Sequence, residues 1–132
     1  MIVFVDTSAF YSGLDQEDIN HRRAKSAWTD LLAGEARLLT SNYVLLETSA
    51  LVQKRLGPAA LRLFCQDVVP LLAVDWISQQ RHQAGVEALL AAARRKLSLV
   101  DCISFQTMRE YGAQTAFCFD PHFREQGFDT IP

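Results

Sequence analysis

Cysteine is scarce in this chain, and the three present, Cys65, Cys102 and Cys118, are odd in number, lie in separate apolar segments and form no CxxC pair. That argues against a disulfide framework and against a zinc site; all three read as small buried hydrophobes in a reducing compartment. With four prolines and six glycines there is no linker, low-complexity tract or repeat to divide the chain. Long hydrophobic runs are missing too. The stretch from Val68 to Val74 is broken by Pro70 and falls far short of the roughly 20 residues of a membrane helix. The opening Met-Ile-Val-Phe-Val-Asp has no basic region and reaches a carboxylate after a short apolar run, unlike a secretion signal. The expectation is a soluble, cytoplasmic protein with no membrane role. Nor does one sign of charge dominate: thirteen Lys plus Arg stand against fifteen Asp plus Glu, a net charge of −2, so any polyanion must be met by a local patch.

What is present is an ordinary globular composition, 49% hydrophobic and 21% charged over 132 residues. This suits a single domain, residues 1–132. Ile2-Val3-Phe4-Val5 reads as a strand buried on both faces, ending at the helix-capping residues Asp6-Thr7-Ser8. A polar loop from Asp15 to Asn20 leads to a helix from about His21 to Leu32, stopped by Gly34. Arg37 to Thr40 is a second strand. Ser41-Asn42 caps a helix to about Leu56, closed by Gly57-Pro58, and another helix follows to about Val69. Leu71 to Val74 reads as a third strand, and Ser78 opens an Ala-rich helix that ends near Arg94-Arg95-Lys96. Ser98 starts a helix that stops at Gly112; about Thr115 to Phe119 is a fourth strand, and the tail from Gly127 adds a short edge strand. Strands alternating with helices predict an α/β fold: a three-layer α/β/α sandwich around a central parallel sheet of four to five strands.

In such a sheet ligands bind beyond the carboxyl ends of the strands. Asp6 ends strand one, Asp120 ends strand four, and Asp101 stands in the first turn of the helix leading to strand four. Glu47 lies mid-helix between Val44 and Leu51, a spacing that places its carboxylate on the inward, apolar face. Each acid also has a purely structural explanation. Asp6 fits an N-cap of the helix after it, Asp120 before Pro121 fits a cap followed by proline at the first helical position, and Asp101 three residues after Ser98 resembles a capping box. Glu47 on an apolar face has no Lys or Arg three or four residues away. Brought together, the four make a pocket that demands compensation, since like charges about 4 Å apart repel by roughly 4 kcal/mol at an effective dielectric near 20. All-oxygen donors select hard divalent ions, Mg²⁺ or Mn²⁺, which activate water and stabilise charge on phosphate oxygens.

These residues resemble the PIN domain, in particular the small VapC-type toxins of toxin–antitoxin pairs. Ile2 through Phe10 is similar to the first motif of that family, Leu46-Glu47-Thr48 to its second, Leu97 through Cys102 to its third and Phe119-Asp120-Pro121-His122-Phe123 to its fourth. The fourth departs from the commoner form at Cys118 and Pro121. The resemblance spans nearly the whole chain and implies a PIN-like fold, a Mg²⁺- or Mn²⁺-dependent endoribonuclease acting on single-stranded RNA regions, a homodimer, and a cognate antitoxin that blocks the site. It implies that Asp6 and Asp101 are the principal metal ligands, with Glu47 holding metal or the water beside it and Asp120 organising a second ion, so that one or two ions bind. Thr7 or Ser8 would hydrogen-bond a ligand or phosphate.

An RNA substrate also calls for cations around the acidic pocket. Arg22, Arg23 and Lys25, Lys54 and Arg55, and Arg94, Arg95 and Lys96 are candidates, although helix C-termini and solvated faces attract such residues anyway. His21, His82 and His122 have no metal-ligand spacing and read as surface residues, with His122 notable for its place beside Asp120. Tyr11, Tyr43, Trp28 and Trp76 fit core packing better than base stacking. Two other functions remain open: an aspartate-based phosphohydrolase, weakened by Ser8 where a second acid is usual, and a non-catalytic binding module whose acidic pocket holds only a cation or a partner's arginine.

Overall fold

The computed structural model describes all residues from Met1 to Pro132. Strands β1 (Ile2–Val5), β2 (Arg37–Ser41), β3 (Ala73–Asp75), β4 (Thr115–Phe117) and β5 (Asp129–Ile131) form one sheet in the order β3-β2-β1-β4-β5. Every pairing is parallel. The connecting helices are α1 (Thr7–Leu14), α2 (His21–Ala33), α3 (Asn42–Leu56), α4 (Pro58–Leu63), α5 (Gln79–Ala92), α6 (Leu99–Tyr111) and α7 (His122–Glu125). This is the expected parallel α/β architecture, with the five-stranded form realised.

Parallel strands covered by helices need apolar residues on both faces, and β1 supplies them: Val3, Phe4 and Val5 are completely buried. On one side Phe4 and Phe105 pack against Phe123; on the other Phe10 contacts Trp28 and Phe64, and Trp28 meets Phe117 edge-on. A Cβ on Gly85 would come within 2.5 Å of Ile103 Cδ1, so this glycine permits the close approach of α5 to α6. Local signals set several boundaries as expected. Ser41 caps α3 by accepting from the Val44 amide, and Gly112, at φ 68°, ends α6 in the left-handed conformation.

Other boundaries move. The helix expected up to Val69 is continuous only through α4. A π-helical turn spans Phe64–Val68, and a 3₁₀ turn containing Pro70 takes up Val69–Leu71. Consequently β3 begins at Ala73 rather than Leu71 and runs to Asp75, because it is pairing with Leu39, Thr40 and Ser41 that defines it. Strand β4 ends at Phe117 instead of Phe119, and α7 begins at His122, after Pro121. Cys102 and Cys118 are buried, as expected, with the Cys118 thiol pushed up to about 12 first by burial and then by Asp6 nearby. Cys65 is exposed instead, and so is Trp76, at 72%. No helix is long and apolar enough to cross a membrane.

Candidate metal centre

The first crossover leads from β1 to β2, while β4 pairs with the other edge of β1. Chains leaving the carboxyl ends of β1 and β4 therefore diverge, opening the crevice where doubly wound sheets bind ligands. Asp6 directly follows β1, and the Phe119-Asp120 segment follows β4. The Asp6 amide donates to the Phe117 carbonyl at 3.1 Å, which holds the two exits side by side.

Asp6 is 5% exposed and caps α1 through Ser8, whose amide donates to Oδ2 at 3.2 Å and whose hydroxyl donates to it at 2.6 Å. Ser8 Oγ in turn accepts from the Phe119 amide at 2.9 Å, tying α1 to the β4 exit. Burial dominates the titration of Asp6, raising its pKa from 3.8 to about 7 with help from the charges of Asp120 and Asp101 and against the hydrogen bonds from Ser8. Asp101 is also raised, above all by burial and further by Asp120. Its carboxylate closes a capping box: Oδ2 accepts from the Ser98 amide at 3.1 Å while Ser98 Oγ accepts from the Asp101 amide at 3.0 Å. The capping role and the site position coexist in one side chain.

Asp120 lies across the opening. Its Oδ1 accepts from the His122 amide at 2.9 Å, one residue ahead of the position expected for a cap, since Pro121 itself is the N-cap of α7. His122 departs from the surface position expected of it, for its side chain is only 13% exposed. Nδ1 stands 2.8 Å from Asp120 Oδ1 and 3.8 Å from Asp101 Oδ2, yet without hydrogen-bond alignment, so it is a buried polar atom lacking a partner. Asp101, Asp120 and His122 offer ligand atoms that all lie within 4.8 Å of one another. Crowded carboxylates, with the charged forms of Asp6 and Asp101 disfavoured by burial, beside an orphaned imidazole nitrogen, suit a hard divalent cation. This cluster can hold a metal ion.

The cleft above these groups encloses about 440 Å³ and is lined by Asp6, Asp101, Asp120, Glu47 and Lys96, among others. Glu47 corrects its expected inward orientation. It is exposed on the cleft wall, because α3 turns Val44, Thr48 and Val52 inward and leaves Leu46 and Glu47 outside. Thr7 and Ser8 line the same cleft, but protein partners already engage their hydroxyls: Thr48 Oγ1 donates to Thr7 Oγ1 at 3.0 Å, and Ser8 serves Asp6. Of the basic triplet, Lys96 lines the cleft, Arg94 pairs with Glu125 at 3.0 Å, and Arg95 is exposed. Asp18 and Asn20 also reach the cleft, from a loop that the sequence marked only as polar. Asp18 Oδ2 accepts from Ser12 Oγ and from the Asn20 amide, both at 2.9 Å.

A further strand-end acid escaped the sequence reading. Asp75 closes β3 and is buried, paired with Arg81 and accepting hydrogen bonds from Thr107 at 3.0 Å and Tyr111 at 3.3 Å. Its charge is compensated by the protein itself, unlike that of Asp6.

Against this geometry the relatives can be placed. The chain is 32% identical over 128 residues, 96% of its length and 95% of the other's, to the 23S rRNA-specific endonuclease VapC20 of Mycobacterium tuberculosis. The crystal structure of that protein, described as a sarcin–ricin loop cleaving toxin, superposes with a TM-score of 0.87 at 31% identity, covering all of both chains. Two remoter structures share the fold. FitAcB from Neisseria gonorrhoeae gives a TM-score of 0.69 at 15% identity, covering 100% of this chain and 97% of that one. VapBC2 from Rickettsia felis, bound to a DNA fragment from its promoter, gives 0.69 at 13%, covering 98% and 97%. The family model for the PIN domain matches residues 3–129, and with these relatives it establishes that the chain belongs to the PIN-domain family.

Proposed function

We propose that this protein is a metal-dependent endoribonuclease that cuts RNA in single-stranded regions as the toxin of a toxin–antitoxin pair, with residues 1–132 forming one PIN domain. The observation that carries this reading is the convergence of Asp6, Asp101 and Asp120 on one cleft at the divergence of β1 and β4, where burial above all, and then neighbouring carboxylates, disfavour the charged forms of Asp6 and Asp101. Similarity to VapC20, named for 23S rRNA cleavage, supplies the substrate class.

In this reading Asp6, Asp101 and Asp120 are the metal ligands and Glu47 completes the catalytic set from the opposite wall. Mg²⁺ or Mn²⁺, as one or two ions, would supply Lewis-acid activation of water and charge stabilisation on the phosphate. The protein provides the rest. Ser8 fixes the rotamer of Asp6 and lowers its proton affinity; the Ser98 box fixes Asp101; His122 bounds the position of Asp120. Lys96 faces the carboxylates from the rim and attracts the phosphodiester. Arg95 contacts the backbone farther out, while Arg94 acts indirectly through Glu125. Thr7 and Ser8 shape the pocket floor. The protein works in the cytoplasm as a homodimer, and a cognate antitoxin silences it by covering the cleft.

The test is incubation of purified protein with bacterial total RNA in Mg²⁺, in Mn²⁺ and in EDTA, followed by mapping of new ends. Discrete cuts in 23S rRNA that need a divalent ion are expected. Intact RNA in every condition, with turnover of a small phosphomonoester instead, would replace this reading with a phosphohydrolase; no turnover of either would leave a binding module.

A further inference from the structure

Beside the metal centre lies a second groove, of about 480 Å³, whose walls include Arg23 of α2 and Arg124 of α7. Phe119 and Asp120 line both this groove and the acidic cleft, so the two adjoin. Resting on the function proposed above, we propose that this groove binds the RNA phosphate next to the scissile one, with Arg23 and Arg124 as its positioning residues.

The charge arrangement argues for it. Both guanidinium groups are exposed, and neither forms an ion pair, in contrast to Arg81 with Asp75 and Arg94 with Glu125. Of the carboxylates at the groove, Glu125 is paired with Arg94 at 3.0 Å, and Asp120 is turned to the His122 amide, from which its Oδ1 accepts. Arg23 and Arg124 therefore bring to the groove two cations that no ion pair holds. The cations are also held in place. The Arg23 guanidinium lies over the Phe119 ring, 5.6 Å from its centroid, and Arg124 Nη2 donates to Thr130 Oγ1 at 2.6 Å. Each keeps N–H donors free, and a guanidinium offers a phosphate two parallel bonds. A polyanion drawn toward carboxylates needs such a flank, because the metal centre can neutralise only the phosphate directly above it.

The test compares wild type, Arg23→Ala, Arg124→Ala, the double variant and Arg62→Ala, an exposed arginine of α4 away from the groove, on the RNA that the wild type cuts. KM is expected to rise about tenfold or more in the double variant with kcat nearly unchanged, and the salt dependence of binding to flatten by about 0.7 in log–log slope per lost contact on single-stranded RNA. Arg23→Lys and Arg124→Lys should restore much of the affinity, and Arg62→Ala should match wild type. Unchanged KM and salt slope in a double variant that folds, while the wild type cuts RNA, would overturn the groove assignment and spare the nuclease. If the variants lost binding only to a poly-glutamate peptide, the groove would belong to a protein ligand and the assignment would also fall. A wild type that neither binds nor cuts RNA would sink both.

Discussion

The Ser8 hydroxyl donates to Asp6 Oδ2 at 2.6 Å, and this bond is the main influence opposing burial in holding a proton on the most buried acid of the cleft. Burial and neighbouring carboxylates raise the pKa of Asp6; Ser8 opposes them. Removing the hydroxyl in Ser8→Ala should therefore raise it further, since a charge-assisted bond to the ionised form is lost. RNA cleavage at pH 7 should drop about five- to tenfold and recover at alkaline pH. Loss that is equal at pH 7 and pH 9 would show that Ser8 acts only on structure.

Metal-free stability should carry the same signature. Asp6 holds a proton to about pH 7 in the folded protein, whereas an aspartate in water ionises near 3.8, so the folded state binds more protons between those limits. The sign follows: this contribution is fully present below about pH 4 and is lost as pH rises toward 7. Asp101 shifts in the same direction. In EDTA, Asp6→Asn should gain stability over wild type between pH 5 and pH 8, by an amount on the order of 1–3 kcal/mol. Denaturation curves that stay parallel across that range would contradict it. Because binding must displace the proton, Mn²⁺ affinity of the wild type should increase over the same interval.

Asp101 allows its two roles to be separated. In Asp101→Asn the amide oxygen can still accept from the Ser98 N–H, so α6 keeps its cap while the proposed metal ligand is lost. Asp101→Ala loses both and should cost about 1 kcal/mol of stability in addition. Thermal denaturation together with cleavage assays checks this: both variants inactive, and only the alanine variant appreciably less stable.

Asp75 provides the contrast. It ends β3 much as Asp6 follows β1, but Arg81, Thr107 and Tyr111 already satisfy it. Asp75→Asn should destabilise the fold by about 3 kcal/mol, by leaving Arg81 without its partner, while the remaining folded protein cuts RNA at the wild-type rate. A stable but inactive Asp75→Asn would place this acid in the chemistry.

Much of the fold was legible because its signals are local. The apolar run of β1, the Ser41 cap, the Ser98–Asp101 box and the Gly112 stop each act within a few residues. What the sequence hid depends on distant partners. Leu71 and Leu72 look like strand, yet the Pro70 turn comes first and β3 is set by its register with β2. Glu47 has the spacing of an inward residue but lies at the edge of the buried stripe, where the cleft opens. His122 gave no spacing signal, since what buries it is the approach of α6 to the β4 exit, residues distant in sequence. Asp75 went unnoticed because the expected third strand stopped one residue short of it.

The central claim is that carboxylates gathered at the carboxyl end of the sheet hold the metal that cuts RNA. The most direct measurement is RNA cleavage at saturating Mg²⁺ or Mn²⁺ by wild type, Asp6→Asn and Asp101→Asn, each shown by circular dichroism to be folded. The account predicts metal-dependent cuts by wild type and a loss of at least about a hundredfold in each variant. Cleavage at the wild-type rate by either folded variant, or by the wild type in EDTA, would contradict it.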